Sequence, residues 1–299
     1  MSAPTPLLDV QRVSKRYGDF HLADVSLTVH PDEIVGFVGA NGAGKSTTIK
    51  AALALIHVDA GEARLFGEPL TPGSPTAVHR RLKERIGVVF DAIPFPQTLK
   101  VAQVGRIYAD LFGERWNQQR FDDLTGEFNL PGDKPVKELS RGMGMGLQLA
   151  TALAHDPDLL VLDEATAGLD PMARDHILDI LLDHMKSGGR GVLISSHITT
   201  DLDKAADRVV GIDGGRILFD REKDSIRGGG IAHLRRADLE RLEAAGELDG
   251  THVRERAGSG SVDILVEDRG QFARRHPDIL IDPASVEDFL EFQVKGALR

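Results

Sequence analysis

The chain has 299 residues, enough for one large domain with a small one or for two ordinary ones. Hydrophobic residues make up 41% and charged residues 27%, the balance of a globular protein, and the formal net charge is −10. That acidic surplus argues against nucleic acid as a partner, the lack of cysteine excludes disulfides and thiolate metal sites, and no run approaches the ~20 apolar residues that span a bilayer.

The opening Met1-Ser2-Ala3-Pro4-Thr5-Pro6 has neither a basic region nor an apolar core, so it does not read as a signal peptide and a cytoplasmic chain is expected. Residues 7–16 and 25–29 read as strands with Tyr17-Gly18-Asp19 turning between them. Tyr17 has two readings at this point, a hydrophobic plug or a stacking platform for a base. Residues 34–38 are an apolar β-type run, and residues 47–56 have the apolar spacing of a helix. Between them Gly39-Ala40-Asn41-Gly42-Ala43-Gly44-Lys45-Ser46-Thr47 fits the phosphate-loop pattern G-x-x-x-x-G-K-[ST] without a mismatch. Glycines 39, 42 and 44 let backbone N–H groups turn inward, and the following helix N-terminus adds positive potential. Lys45 is expected to reach the β- and γ-phosphates of a nucleoside triphosphate, and Ser46 to ligate Mg²⁺ through its hydroxyl.

Residues 63–66 read as a short strand, 67–74 as a Gly- and Pro-rich loop, 77–85 as a polar helix and 86–90 as a buried strand. Asp91-Ala92-Ile93-Pro94-Phe95-Pro96 breaks regular structure. Helical spacing over 99–112 and 117–128, with no strand signal, predicts a helical insert at about 92–157 in an otherwise alternating α/β chain. Leu139-Ser140-Arg141-Gly142-Met143 opens a further helix to about residue 154, and Ser140 suits its N-cap.

Residues 159–162 are a short apolar strand closed by Asp163-Glu164, at the strand end where open α/β sheets place ligands. Downstream of a phosphate loop, Asp163 reads as the Mg²⁺-coordinating acid and Glu164 as a base for water; the plain alternative is an ordinary strand-end pair. Residues 172–186 predict an amphipathic helix, and 191–195 a buried strand ending in Ser196-His197 on the same sheet edge. Beyond residue 219 come a Gly228-Gly229-Gly230 hinge, a charged helix over 232–245, strands at 262–266 and 279–281, and a last helix over 285–294. The pairs Arg80-Arg81, Arg235-Arg236 and Arg274-Arg275 read as solvated faces.

In this order the motifs resemble the ATP-binding subunit of an ABC transporter, over about residues 7–219. The resemblance implies an α/β P-loop NTPase fold with an N-terminal antiparallel β subdomain and a helical insert. It divides the chain into an ATP-binding domain at 1–219 and a small α+β appendage at 220–299. In that family the phosphate loop is followed by a glutamine loop, a signature, a strand-end Asp-Glu, a D-loop and a switch histidine. The matching positions are Asp91, residues 139–143, Asp163-Glu164, residues 167–170 and His197. Tyr17 then falls where the family stacks an aromatic on adenine.

The resemblance further implies a head-to-tail pair, a homodimer or a pairing with a similar ATPase, that buries two ATP. The loop of one copy, Asn41, Ala43 and Thr47 included, would hold ATP while Ser140 and Gly142 of the other cap its γ-phosphate. Glu164 would polarise the attacking water, Lys45 and His197 would hold the γ-phosphate, and Asp170 would communicate across the pair. ATP and Mg²⁺ are the implied cofactors. The implied partner is an integral-membrane permease, with the subunit peripheral on the inner face of the cell membrane.

Three positions depart from the family pattern. Asp91 replaces the usual glutamine; beside Mg²⁺ it could act as a ligand through water, whereas near the γ-phosphate alone it would be repelled. The signature is Leu-Ser-Arg-Gly-Met in place of Leu-Ser-Gly-Gly-Gln, and Gly144-Met145-Gly146 replaces the basic, polar residues that commonly follow. These variations, with the ending Ala284-Ser285-Val286-Glu287-Asp288-Phe289-Leu290, resemble the exporter branch whose ATPase is a separate chain, which serves drugs, antibiotics and bacteriocins. The alternatives are a soluble ABC ATPase acting on ribosomes or DNA repair, and an unrelated P-loop kinase or GTPase.

Overall fold

The computed structural model describes residues 4–248, 251–255 and 261–298, so the start of the N-terminal hexapeptide lies outside the described residues. β1 (Leu8–Tyr17) and β2 (Phe20–Val29) pair antiparallel, Leu8 opposite Val29 and Tyr17 opposite Phe20 across the expected turn. β3 (Glu33–Val38) is buried from Ile34 onward and runs into the phosphate loop, which opens α1 (Lys45–Ala52). β4 (Ala60–Leu65) and β5 (Glu68–Pro69) join the first hairpin in a four-stranded sheet of order β2-β1-β4-β5. α2 (Thr76–Lys83) buries only Leu82, as its polar sequence requires, and leads to β6 (Ile86–Val89).

The helical insert carries α3 (Val101–Phe112) and α4 (Gln118–Glu127), and α5 (Arg141–Leu153) returns the chain to the core. Asn117 and Ser140 cap α4 and α5, each accepting a hydrogen bond from the backbone N–H three residues on. Glycines 144 and 146 of α5 replace longer side chains for a packing reason. A β-carbon on Gly146 would lie 2.2 Å from Cγ of Phe128, and one on Gly144 would lie 2.2 Å from Cδ1 of Ile93.

β7 (Leu159–Asp163), α6 (Pro171–Met185), β8 (Gly191–Ser196), α7 (Thr199–Ala205), β9 (Arg208–Asp213) and β10 (Arg216–Glu222) complete this part. The sequence reading assigned no element to residues 199–222, where a helix and two strands in fact lie. A six-stranded sheet of order β10-β9-β3-β8-β7-β6 results, parallel except for β10, with both faces covered. Because neighbouring side chains point to opposite faces, Ile34, Leu160, Leu162, Val192 and Ile194 enter one core, while Val35, Phe37, Leu159, Val161 and Leu193 enter the other. Burial on both sides is why these strands read as unbroken apolar runs.

The last quarter holds α8 (Lys223–Gly228), β11 (Gly230–Arg235), α9 (Arg236–Ala244), β12 (His252–Glu255) and β13 (Ser261–Val266). α10 (Arg269–Arg275), β14 (Leu280–Pro283), α11 (Val286–Lys295) and β15 (Ala297–Leu298) follow. Among the described residues its strands form an antiparallel sheet of order β14-β11-β13-β12-β15. Two expectations are corrected. Residues 232–235 are strand, because pairing with β13 on one side and β14 on the other outweighs the helical preference of Ala, Leu and Arg. The glycine triplet is no hinge: Gly228 ends α8, and Gly230 sits in the ladder opposite Val266 and Pro283. α11 packs back on the first part, with Val286 fully buried in its core and Phe289 edge-on to Phe219 at 4.9 Å.

Candidate functional site

Sheet order decides which sequence motifs meet. β3 lies beside β8, and β8 beside β7, in a register that sets Val38 opposite Ser196 and Ser195 opposite Asp163. The residues leaving these three strands therefore share one edge of the sheet: the phosphate loop after β3, Asp163-Glu164 at β7 and His197 after β8.

The loop follows the path its glycines allow. Gly42 and Gly44 hold positive φ angles of 83° and 120°, and a β-carbon on Gly39 would fall 2.3 Å from the carbonyl oxygen of Ile212. Lys45, the first residue of α1, is folded back over the loop and buried. Its Nζ donates to the carbonyls of Gly39 at 2.6 Å and Ala40 at 3.2 Å, and lies 2.9 Å from Oε1 of Glu164.

Asp163 is buried beneath the loop, where its Oδ1 accepts from Ser46 Oγ at 3.1 Å and from Ser195 Oγ at 2.7 Å. The Ser195 hydroxyl also accepts from the N–H of Glu164 at 3.1 Å. Glu164 occupies the left-handed region at φ 56°, unusual for a residue with a long side chain and typical of functional positions. Its Oε2 accepts from Nδ1 of His197 at 2.6 Å, which fixes the imidazole tautomer with the Nδ1 proton on the carboxylate side. Glu164 is thus gripped from both ends, by Lys45 and His197.

An open cavity of about 490 Å³ lies over the loop. Asn41, Gly42, Gly44, Lys45, Ser46 and Thr47 line it from one segment, and Phe20, Asp91 and Glu164 from three others. Gly39 and His197 line an adjoining cavity of about 460 Å³ under α11. Ala43 is buried beneath the loop.

Other expected site residues lie apart from this cavity. Tyr17 is exposed, with Lys15 Nζ 5.3 Å from its ring centre, and does not line it; Phe20, opposite Tyr17 in the hairpin, does. Ser140 caps α5, and Asp170 caps α6 by accepting from the N–H of Ala173 at 3.1 Å. Neither they nor Gly142 borders the cavity. Asp91 reaches it with its carboxylate on the guanidinium of Arg141. Sequence reasoning missed Phe20, Ser195 and the contacts of Arg141. Ser195 had a signal, a hydroxyl at the end of an apolar strand one residue before Ser196-His197.

A strand, glycine loop and helix cradling a lysine, beside a strand-end Asp-Glu and a histidine, define a nucleotide-hydrolysing P-loop protein. Residues 22–167 match the family described as ABC transporter. The chain is 36% identical over 220 residues to the Nod factor export ATP-binding protein I of Burkholderia lata, covering 71% of this chain and 70% of that one. To the protein of the same name from Cupriavidus pinatubonensis it is 32% identical over a 306-position alignment covering 96% and 90%. A solved ATP binding subunit of an ABC transporter superposes with a TM-score of 0.66 at 28% identity, covering 74% of this chain and 92% of that one. The chain belongs to the ABC transporter ATP-binding family and is the ATPase subunit of a transporter.

Proposed function

We propose that the protein works as a head-to-tail dimer that closes around two ATP molecules and drives a separate integral-membrane permease in export. The observation that carries the dimer is the incomplete cavity: Lys45, Ser46 and Glu164 line it, whereas Ser140 and Gly142 lie outside it. A second copy would bring the N-terminus of its α5, capped by Ser140, against the γ-phosphate, where the helix dipole favours an anion. Asp170, at the N-terminus of α6, would meet the partner copy.

Within each site Lys45 binds the β- and γ-phosphates in competition with Glu164. Once released from Lys45, Glu164 orients the attacking water and takes its proton, while His197 holds the carboxylate and the γ-phosphate side. The hydroxyl of Ser46 and the carboxylate of Asp163, already 3.1 Å apart, are hard oxygen donors that suit Mg²⁺, and Asp91 borders the same cavity. Mg²⁺, when bound, draws negative charge off the phosphate oxygens. Tyr17, in the hairpin outside the cavity, would stack on an adenine that extends beyond it. Residues 220–299 form an accessory unit.

Export is supported by the names of the relatives, both Nod factor export ATP-binding proteins. The proposed cargo class is a drug, antibiotic, peptide or lipid-like molecule. Among the described residues no helix is long and apolar enough to cross a membrane, in keeping with a subunit held at the inner face of the cell membrane by its permease. Glu164→Gln tests the dimer: with ATP and Mg²⁺ it is expected to elute from a sizing column at twice the monomer mass, and a monomer would refute the closed pair. Affinity capture in mild detergent tests the partner; a polytopic membrane protein is expected, and ribosomes in its place would overturn the transport reading.

A further inference from the structure

Two of the departures from the family pattern, Asp91 and Arg141, touch each other. The guanidinium of Arg141 pairs with the carboxylate of Asp91, fifty residues away in sequence. The same guanidinium donates through Nε to the carbonyl of Ala167 at 2.6 Å. It rests against Gly168, where φ is +69° and a β-carbon would lie 3.0 Å from Nε, so a side chain there would press on the guanidinium from a strained backbone. Arg141 therefore joins three segments: the exit of β6, its own helix α5, and the turn that begins at Glu164.

A second polar contact joins α5 to the β6 exit. Gln148, two helical turns after Arg141 and on the same face of α5, accepts from the N–H of Phe90 at 3.1 Å and donates to its carbonyl at 3.0 Å. Gln148 is buried and fixes the backbone one residue before Asp91. Arg141 and Asp91 are exposed, so their pairing adds little to stability. Its effect lies in charge. Asp91 borders the cavity that Lys45 and Glu164 line, and a free carboxylate there would repel a triphosphate.

We propose that Arg141 is a positioning residue for ATP turnover with two separable effects. Its ion pair keeps the Asp91 carboxylate turned onto the guanidinium, so that it does not swing toward the phosphates, which governs ATP affinity. Its fork geometry holds the Ala167–Gly168 turn, which governs the placement of Glu164. The two departures are one matched pair: an acid in place of glutamine is tolerated because an arginine replaces the first glycine of the signature. This goes beyond the dimer and export readings; because Arg141 stands between Ser140 and Gly142, the closed pair would also bring it to the second copy, and the Asp91→Asn background separates the pairing within one chain from that contact.

The test is a mutant cycle read in steady-state ATPase assays of the full chain. Arg141→Ala is expected to raise KM for ATP about tenfold when Asp91 is present, and by less than about twofold in an Asp91→Asn background. The comparison of backgrounds isolates the pair from any separate contribution of Asp91 to the metal. Arg141→Lys keeps the charge and loses the fork, so KM is expected to stay within about twofold while kcat falls about tenfold. Should Arg141→Ala not fold, Arg141→Gln serves in the same cycle. Equal KM changes in both backgrounds would overturn the charge pairing, and an unchanged kcat in Arg141→Lys would overturn the grip on the turn.

Discussion

Nδ1 of His197 lies 2.6 Å from Oε2 of Glu164. The histidine leaves β8 and the glutamate leaves β7, so adjacent parallel strands present the two side chains on one edge. Glu164 has few other supports, since its second oxygen meets Lys45, the residue that a γ-phosphate would claim.

If His197 acts mainly by holding Glu164, the two residues work as a unit, and their effects do not add. Glu164→Gln and His197→Ala are each expected to lower kcat by about a hundredfold or more, and the double variant to be no slower than the slower single one. Phosphate release at saturating ATP measures all three. Multiplying losses in the double variant would mean that His197 acts on the phosphate independently of Glu164.

The acid limit of stability is set in part far from the nucleotide. His184 is buried on α6, and burial, reinforced by the charges of Arg190 and Arg120, lowers its pKa to about 4. The Nη1 of Arg190 donates to Nδ1 of His184 at 3.2 Å, so that nitrogen carries the lone pair, and a proton there would face the guanidinium. The folded protein thus holds His184 neutral where the unfolded chain, with an ordinary value near 6.5, is protonated. Stability from this group is full above about pH 6.5 and is lost as pH falls toward 4, amounting to about 2.5 kcal/mol between pH 7 and 4.5. His184→Gln keeps an acceptor for Arg190 without titrating. Urea unfolding at the two pH values is expected to show wild type losing about 2.5 kcal/mol more than the variant; parallel losses would count against a buried neutral histidine.

The phosphate loop, Asp163-Glu164 and His197 were legible because each follows an uninterrupted apolar run, a signal contained in a few neighbouring residues. That they meet was also legible in outline, since parallel strands bring their carboxyl ends to one edge. Contacts made by side chains across the sequence were not. Nothing local to Arg141 indicates Asp91, nothing near Phe20 indicates that it, and not Tyr17, lines the cavity, and Ser195 gains its role only when β8 is set beside β7. The strand at β11 was hidden for a related reason: its Ala, Leu and Arg favour a helix in isolation, and partners on both sides decide otherwise.

The glycines of α5 offer a case where propensity and packing oppose each other. Replacing a mid-helix glycine by alanine ordinarily stabilises by about 0.5–1 kcal/mol, because glycine loses more backbone freedom on folding. At Gly146 the new methyl group would meet Cγ of Phe128 at 2.2 Å and its Cβ at 2.6 Å. Those atoms are the root of the side chain, so no ring rotation moves them away, and α4 itself must shift. At Gly144 the methyl group would meet Cδ1 of Ile93 at 2.2 Å, the far end of a flexible chain that can change rotamer. Overpacking costs about 1–3 kcal/mol where neighbours cannot yield. Gly146→Ala is therefore expected to destabilise by about 1–2 kcal/mol, and Gly144→Ala to stay within about 0.5 kcal/mol of wild type. Chemical denaturation of the two variants side by side checks the order; a stabilised Gly146→Ala would show that α4 and α5 do not need the close approach the glycine permits.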